Sequence, residues 1–367
     1  MRLLITGGGT GGHIYPALAI AQAALGAGAA EEVLFVGARG GMEERLVADA
    51  GLPLRTLPVR GLIRKRPLEM VAGVATLGRA IAEAARILRE FDPQVVVGTG
   101  GYAAGPVGLA AVLARRPLLL QEQNVIPGVT NRALARFAVG VAVPYPEAAR
   151  HFPRQARILV TGNPVRPEVR GADPREARRA LGLPAGPVVL MVAGSRGSEV
   201  FTRLFGEWLP SWAGGTLVFV SGRAHHARAH ALLQRQRGAG RVVLLPYLAD
   251  MPAGLAAADL VVCRAGAMTL AELAAARRPA VLIPSPHVTH HHQEANAQVF
   301  GRAGAAVVLA EAGLDGAGLG RTVSPLLQDV GRRETMARAA GGLDHPASLE
   351  EIVAALAAAG RGRRRAP

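Results

Sequence analysis

Twelve short apolar runs alternate with helix-length segments along this chain, and this alternation constrains its fold more than any other feature. The runs are continuous rather than interrupted by polar residues, which is typical of strands buried on both faces of a parallel sheet. They predict strands at residues 2–6, 33–36, 95–97, 118–120, 139–143, 158–160, 188–193, 217–220, 242–245, 260–263, 280–283 and 306–309. Strands and helices that alternate at this spacing predict an α/β fold with parallel sheets.

The two halves of the chain begin in the same way. Residues 2–25 and residues 187–209 each read as a strand, a glycine-rich turn and a helix, the first helix at residues 16–25, so the sequence predicts two Rossmann-like domains in tandem. A length of 367 residues fits two domains. The turn-rich segment 161–167 is the predicted linker, which gives domains at residues 1–163 and 164–345 and a final helix at 346–360.

Composition limits the class of protein. Half of the residues are apolar and 19% are charged, which is enough to form buried cores and excludes a disordered chain. One cysteine, Cys263, excludes a disulfide framework and a cysteine-based zinc site. The sequence shows neither a signal-peptide core nor an apolar run of transmembrane length, which predicts a soluble or peripherally bound intracellular protein.

The charge balance indicates an anionic partner. A net charge of +15 suits nucleic acid, an anionic membrane or a phosphorylated ligand. Nucleic acid is disfavoured, because four tyrosines and two tryptophans offer few stacking platforms for bases.

The first candidate site is the segment GGGTGGH at residues 7–13, directly after the first predicted strand. Gly7, Gly9 and Gly12 fit the G-x-G-x-x-G pattern, in which backbone amides and a helix N-terminus favour an anion. A nicotinamide cofactor is disfavoured because no acidic residue ends the second predicted strand, and a Walker A loop is excluded because no lysine follows the glycines. His13 is either a proton-transfer residue or a histidine that only caps or packs at the helix start.

Polar residues follow three more predicted strands, where α/β sheets bind ligands. Gly98-Thr99-Gly100-Gly101-Tyr102 follows one strand, and Gln121-Glu122-Gln123-Asn124 ends the next. Glu122 is either an acid or base or part of a capped turn. Residues 263–272 repeat the pattern of strand, glycine and helix, and Glu272 either accepts hydrogen bonds from a ribose or is an ordinary glutamate near a helix start.

Two further features allow a functional and a structural interpretation. The histidines at 287, 290, 291 and 292 match no zinc-binding spacing, which favours a solvated loop, and the chain has no Asp-x-Asp pair to hold a divalent ion. Diphosphate charge would then be met by helix N-termini and by an arginine such as Arg166. The basic segment 60–67 beside the helix-length segment 68–90 is either an amphipathic edge for an anionic bilayer or a solvated loop over a core helix.

Taken together, these motifs resemble one family along essentially the whole chain. This is the MurG family, glycosyltransferases that move N-acetylglucosamine from UDP-N-acetylglucosamine to lipid I in peptidoglycan synthesis. The matching positions are 8–13, 100–102, 105–106, 122–124, 162–166, 194–195, 263–264, 266–267, 272, 293 and 296. The sequence departs from the usual pattern at Gln121, Arg196 and Ala265, where His, Gln and Ser are usual.

The resemblance implies a GT-B fold, in which two Rossmann-like domains face a central cleft and the final helix packs back on the first domain. It also implies that UDP-N-acetylglucosamine is held mainly by the second domain, with Glu272 on the ribose and Ser195 and Arg166 at the diphosphate. The donor-binding residues that it implies are Thr10, Gly11, Gly12, Asn124, Arg166, Ser195, Leu248, Ala267, Met268, Thr269, Leu270, Ala271, Glu272 and Gln293.

The implied reaction is a direct, inverting displacement by the 4-hydroxyl of the muramyl sugar of lipid I, with His13 as the base and Glu122 as the rival base. Gly100, Gly101 and Tyr102 are implied to bind the acceptor, and no metal or tightly bound cofactor takes part. The residues implied to face the membrane are Leu62, Ile63, Arg64, Lys65 and Arg66. The alternative from the same fold is a non-hydrolysing UDP-N-acetylglucosamine epimerase.

The resemblance further implies a peripheral protein on the cytoplasmic face of the cell membrane. Its implied partners are undecaprenyl-linked lipid I, the anionic membrane surface and other cell-wall synthesis proteins, with no nucleic acid. Such an enzyme serves cell wall biogenesis and, through it, cell shape and cell division.

Overall fold

The computed structural model describes residues 1–59, 67–194, 197–235, 240–288 and 291–364. The predicted membrane residues Leu62, Ile63, Arg64, Lys65 and Arg66, the predicted donor residue Ser195, and also Arg196 and His290, lie outside the described residues. The chain divides into two compact units, Met1–Val165 with His345–Pro367, and Arg166–Asp344. The observed boundary follows Val165, two residues after the boundary that the linker pattern predicts at residue 163.

The first unit contains a seven-stranded sheet in the order β3-β2-β1-β4-β5-β6-β7, with parallel pairing throughout its described residues. The strands are β1 Arg2–Thr6, β2 Glu32–Ala38, β3 Leu54–Leu57, β4 Val95–Gly98, β5 Leu118–Gln121, β6 Gly140–Val143 and β7 Ile158–Val160. The helices are α1 Gly11–Gly26, α2 Glu43–Asp49, α3 Pro67–Phe91, α4 Ala104–Leu113, α5 Val129–Leu134 and, at the end of the chain, α15 Ser348–Arg364, with short 3-10 helices at Ala135–Phe137 and Pro146–His151.

Helices cover both faces of this sheet because the side chains of each strand alternate between two cores. Leu3 and Ile5 of β1 pack in one core with α1 and with Ile352 and Leu356 of α15. Leu4, between them, packs in the other core with α3 and α4. The C-terminal helix is therefore part of the first unit, and Ser348 at its start donates a hydrogen bond to the carbonyl of Gly162 at 3.2 Å.

The second unit contains a six-stranded sheet in the order β10-β9-β8-β11-β12-β13, also parallel throughout its described residues. The strands are β8 Val188–Val192, β9 Thr216–Val220, β10 Arg241–Leu245, β11 Leu260–Cys263, β12 Ala280–Leu282 and β13 Ala306–Val308. The helices are α6 Pro167–Gly171, α7 Pro174–Ala180, α8 Glu199–Trp208, α9 His226–Arg235, α10 Met251–Ala257, α11 Ala267–Ala275, α12 His292–Arg302, α13 Gly316–Gln328 and α14 Val330–Gly341, with a 3-10 helix at Leu209–Ser211.

Aromatic side chains are concentrated in the core of the second unit. Phe205 and Phe219 stack with their ring centroids 4.6 Å apart, and Trp208 and Trp212 meet edge to face at 4.9 Å. Both tryptophans of the chain therefore lie in this unit, where they are almost completely buried.

The α/β class with two parallel sheets is confirmed, and all twelve predicted strands are present. The apolar pattern does not predict β3, an edge strand in which only Leu57 is buried. In the described parts of the chain, no helix has the length and apolarity that crossing a bilayer requires.

Candidate active site

The strand order of each unit places a candidate site at the carboxyl ends of two central strands. In the first unit the order reverses between β1 and β4, and in the second between β8 and β11. Ligands of open α/β sheets bind at such reversal points, because the connecting segments leave there in opposite directions and open a crevice. The glycine-rich segments after β1, β4, β8 and β11 all lie at these two points.

His13 lies in the first turn of α1, which begins at Gly11, five residues before the helix that the sequence predicts. Its Nδ1 lies 2.9 Å from the carbonyl oxygen of Thr99 and 2.9 Å from Oε1 of Gln123. A carbonyl oxygen cannot donate a hydrogen bond, so Nδ1 carries the proton, and in the neutral ring Nε2 carries the lone pair. The half-buried imidazole is thereby held in the tautomer that can accept a proton at Nε2.

A chain of buried amides supports this imidazole from behind. The Gln123 side chain donates to the Thr99 carbonyl at 2.8 Å and also to the side-chain oxygen of Gln121. Gln121 in turn donates to Oδ1 of Asn163 at 3.0 Å, and Asn163 donates back to the carbonyl of Gln123 at 3.0 Å. Because every member is bonded to the next, the network fixes the Gln123 side chain that contacts His13.

Glu122 is almost completely buried, and both of its carboxylate oxygens accept hydrogen bonds. Oε1 accepts from the backbone amides of Gln123 and Asn124 and from the Asn124 side chain, at 3.0, 3.0 and 3.1 Å. Oε2 accepts from the Gly128 amide and from the Asn131 side chain, each at 3.0 Å. This geometry holds the segment between β5 and α5 in shape, and it favours His13 over Glu122 as the proton acceptor.

The segment after β4 approaches the glycine-rich loop closely. Gly100 and Gly101 have φ of 99° and 85°, a region that L side chains rarely adopt. A Cβ on Gly101 would lie 2.0 Å from the carbonyl oxygen of Gly8, so the two backbones can meet only without a side chain there. Tyr102 follows with its side chain 55% exposed and its ring beside Gly9, which leaves most of the aromatic face open to a ligand.

In the second unit, Arg264 ties together the segments that follow four strands. Its guanidinium donates to the Ile283 carbonyl at 3.0 Å and to Oγ of Ser198 at 3.1 Å, and it forms an ion pair with Glu311. Ser198 caps the N-terminus of α8, and Arg264 lies two residues before Gly266, the N-cap residue of α11. The two helix N-termini at the reversal point are thus held by one side chain.

Arg166 and Glu272 are brought together within the second unit. Arg166 is the N-cap residue of α6, and its Nη2 lies 3.5 Å from Oε1 of Glu272 on α11. Burial raises the pKa of Glu272, and the nearby Arg166 charge and hydrogen bond oppose that rise. Glu272 is therefore a largely buried carboxyl group with a cation as its partner.

The other predicted donor residues fall into four groups. Leu248, Leu270 and Ala271 are buried in the second unit, whereas Ala267, Met268 and Thr269 are half-exposed in the first turn of α11. Gln293 accepts a hydrogen bond from the Ser285 amide at 2.9 Å. Thr10, Gly11, Gly12 and Asn124 belong to the first unit.

Several residues of these sites are not predicted from the sequence. Gln123 and Thr99 lie inside candidate motifs, so their positions are a usable signal. Asn163 lies inside the matching segment 162–166, but its partners Gln121 and Gln123 lie 42 and 40 residues away. Asn131 and Glu311 lie in no motif of the sequence, and Arg264, the partner of Glu311, lies 47 residues away. Among the described residues, no group of three or more His, Cys, Asp or Glu side chains is placed to hold a metal ion.

Comparison with known proteins gives a consistent family. The models of the glycosyltransferase family 28 N-terminal and C-terminal domains match residues 3–143 and 188–352. A relative from Symbiobacterium thermophilum, named UDP-N-acetylglucosamine--N-acetylmuramyl-(pentapeptide) pyrophosphoryl-undecaprenol N-acetylglucosamine transferase, is 44% identical over 100% of this chain and 98% of its own length.

Solved structures agree with this result. The crystal structure of MurG from Acinetobacter baumannii matches with a TM-score of 0.78 and 28% identity, over 96% of this chain and 98% of that one. The UDP-GlcNAc 2-epimerase from Neisseria meningitidis has a TM-score of 0.68 at 13% identity, over 97% of this chain and 99% of that one, which shows a shared fold alone. The full-length match to transferases and the GT-B architecture together show that the chain belongs to the MurG family of N-acetylglucosamine transferases.

Proposed function

We propose that the protein transfers N-acetylglucosamine from UDP-N-acetylglucosamine to the 4-hydroxyl of the muramyl sugar of lipid I, which gives lipid II. Membership of the MurG family supports this reaction, and the observation that carries it within the structure is the His13 tautomer. The Thr99 carbonyl holds the proton on Nδ1, so Nε2 is the ring atom that can accept the acceptor hydroxyl proton.

The proposed chemistry is a single displacement at the anomeric carbon of the donor. The acceptor oxygen forms the new bond as its proton passes to Nε2 of His13, and the bond to the UDP oxygen breaks from the opposite face, which inverts α to β. Gly100, Gly101 and Tyr102 of the first unit contribute to acceptor binding, and the exposed Tyr102 ring supports this assignment.

The second unit binds the UDP part of the donor in this proposal. The largely buried Glu272 accepts hydrogen bonds from the ribose hydroxyls, and Arg166 beside it reaches the diphosphate. The N-termini of α8 and α11 carry partial positive charge, which stabilises the negative charge that develops on the leaving UDP. Arg264 holds both termini, and no metal or tightly bound cofactor has a role.

The enzyme acts, in this proposal, at the cytoplasmic face of the cell membrane, where other cell-wall synthesis proteins are further partners. Support comes from the surface of three helices of the first unit. These helices are neighbours, since α3 packs against α4 and α4 packs against α5. They carry exposed apolar side chains at Leu77, Leu109 and Leu113, and the next 3-10 helix adds Phe137. Exposed arginines within or directly after these helices include Arg79, Arg115, Arg132 and Arg136.

An apolar surface with surrounding arginines suits an anionic bilayer, because it combines burial with charge attraction. The predicted basic edge at residues 62–66 immediately precedes α3 in sequence, so it extends the same proposal.

The decisive experiment measures transfer of radiolabelled sugar from UDP-N-acetylglucosamine to a short-chain lipid I analogue. The proposal expects a β-1,4-linked product that forms only when the acceptor is present. The epimerase alternative is less supported, since it rests on the shared fold; it would be favoured if UDP-N-acetylglucosamine were converted to its 2-epimer without any acceptor. A His13→Ala variant serves as the control for background transfer.

A further inference from the structure

Glu43 is a buried carboxyl group that the proposed mechanism does not use. It is the first residue of α2 and has no exposed surface. Its Oε1 accepts a hydrogen bond from the Gly9 amide at 2.9 Å, and its Oε2 has no hydrogen-bond partner among the described residues. A buried carboxylate oxygen without a hydrogen-bond partner lowers the stability of the fold. Glu43 must therefore contribute to the structure or to the function in a way that offsets this cost.

Three glycines from separate segments make room for this carboxyl group. A Cβ on Gly8 would lie 1.9 Å from Oε1 of Glu43, and a Cβ on Gly41 would lie 2.0 Å from Oε2. A Cβ on Gly37, inside β2, would lie 2.9 Å from the Cβ of Glu43. Any side chain at these positions would displace the carboxyl group, so the local backbone is fitted to Glu43.

The glycine-rich loop is held on its other side by the segment after β4. The Gly8 amide donates to the Gly100 carbonyl at 3.2 Å, and the backbone of Gly101 lies against Gly8. The loop between β1 and α1 therefore lies between this segment and Glu43. Only Thr10, Gly11 and Gly12 separate Gly9 from His13, so the position of the Gly9 amide determines the position of the His13 imidazole.

We infer that Glu43 is a positioning residue, which fixes the glycine-rich loop through the Gly9 amide and, through the loop, the place of His13. The inference rests on the proposed function, in which His13 accepts the proton. It also follows that the Gly9 amide is occupied by a carboxylate of the same chain, so this amide is not a ligand for substrate phosphate.

Three substitutions separate the hydrogen bond from the charge. Glu43→Gln keeps an acceptor oxygen for the Gly9 amide and loses the charge, whereas Glu43→Asp keeps the charge and is one methylene too short to reach. Glu43→Ala loses both. We expect kcat to follow the hydrogen bond: near wild type for Glu43→Gln and lower by about tenfold to a hundredfold for Glu43→Asp and Glu43→Ala, because small displacements of a catalytic group have effects of that size.

The affinity for UDP separates positioning from general damage. UDP binds the second unit in this proposal, so its Kd should stay within about twofold of wild type in all three variants while kcat changes. Glu44→Gln is the matched control, because Glu44 is the exposed neighbour that accepts a hydrogen bond from the Gly40 amide at 2.8 Å. Should Glu43→Ala not fold, the contrast between Glu43→Asp and Glu43→Gln decides.

Two results would overturn the inference: wild-type kcat in Glu43→Asp, or a loss of UDP affinity that matches the loss of kcat. A measurement that uses no substrate tests the role of Glu43 separately from the proposed function. The His13 imidazole signals in 1H–13C spectra, assigned with His13→Ala, should shift in Glu43→Asp and not in Glu44→Gln. If the wild-type enzyme transferred no sugar, the proposed function would fail, yet these shifts would still support the role of Glu43, and unchanged signals would refute it.

Discussion

The Nη2 atom of Arg166 lies 3.5 Å from Oε1 of Glu272, which pairs the residue proposed for the diphosphate with the residue proposed for the ribose. The two side chains differ in exposure, at 45% for Arg166 and 19% for Glu272. Burial raises the pKa of Glu272 and Arg166 opposes that rise, so the arginine helps to keep this carboxyl group, which we propose binds the ribose, ionised.

This pair predicts a pH dependence of uridine binding. An ionised Glu272 accepts hydrogen bonds from both ribose hydroxyls, so affinity should fall as the pH falls through the raised pKa of Glu272. Arg166→Ala removes the opposing cation, which raises that pKa further and moves the loss of affinity to higher pH. Uridine is the right ligand because it lacks the diphosphate, and its Kd is measured by calorimetry or ligand-detected NMR at a series of pH values.

Glu272→Gln is the control for this titration. It should bind uridine more weakly, with a Kd that does not change over the same pH range. An unchanged midpoint in Arg166→Ala would show that the 3.5 Å contact does not tune Glu272.

The base is tested by His13→Ala. Loss of a general base reduces turnover by about 10²- to 10⁴-fold, and UDP affinity should remain near normal because the residues proposed to bind the nucleotide lie in the second unit. The measurements are kcat for lipid I analogue and Kd for UDP. Turnover that survives the substitution would assign proton removal to another group.

Glu122→Gln tests whether Glu122 has a structural role rather than a catalytic one. The substitution places an amide NH2 where the carboxylate now accepts from the Gly128 amide and the Asn131 side chain, or from the three donors on Oε1. Donors would then face donors, and we expect a loss of about 1–3 kcal/mol in unfolding free energy. Faster hydrogen exchange at the Gly128 amide is the local measurement, and Glu32→Gln at an exposed position is the control. An unchanged exchange rate with a large loss of kcat would restore Glu122 as the candidate base.

The strands were predictable from sequence because central strands of a parallel sheet are buried on both faces. All four residues of β4 and β5 are buried, and a continuous apolar run records that environment. The edge strand β3 was missed because Arg55 and Thr56 interrupt its apolar residues, as one open side of the sheet permits. Helix starts were predicted less accurately than strands. Helix α1 begins at Gly11, whereas the glycines and Pro16 indicated a later start.

The site was predictable only where its residues share a motif. His13, Glu122 and Glu272 each follow a predicted strand within nine residues and lie in or next to a glycine-rich or polar motif, so their neighbourhood was visible in the sequence. Glu43 shows why the rest was not: in sequence it reads as an ordinary acidic residue in a first helical turn, next to Glu44. Its burial depends on Gly8, which lies 35 residues earlier and is brought close only by the pairing of β1 with β2.

The proposed membrane surface predicts a charge-dependent interaction. Arg132→Ser with Arg136→Ser removes two exposed cations, of which Arg136 lies over the Phe137 ring, and at about 1 kcal/mol each the affinity for anionic liposomes should fall roughly thirtyfold. Liposome co-sedimentation at fixed ionic strength measures this change. Arg321→Ser with Arg332→Ser, at exposed positions of the second unit, is matched in charge and should have little effect. Equal losses in the two double variants would indicate attraction by net charge rather than by this surface.

Arg264 and Glu311 form the ion pair that links the two helix N-termini of the second unit, and their side chains are only 16% and 10% exposed. Arg264→Met would leave the carboxylate of Glu311 buried without its partner, which costs about 3–5 kcal/mol of unfolding free energy. Adding Glu311→Leu removes the stranded charge, so the double variant should regain much of that stability. It should not regain UDP affinity, because Ser198 and the Ile283 carbonyl still lack the guanidinium that holds the N-termini of α8 and α11 in position. Tryptophan fluorescence follows urea unfolding of this unit alone, since Trp208 and Trp212 both lie in its core. If the double variant bound UDP as tightly as wild type, Arg264 would stabilise the unit without shaping the donor site.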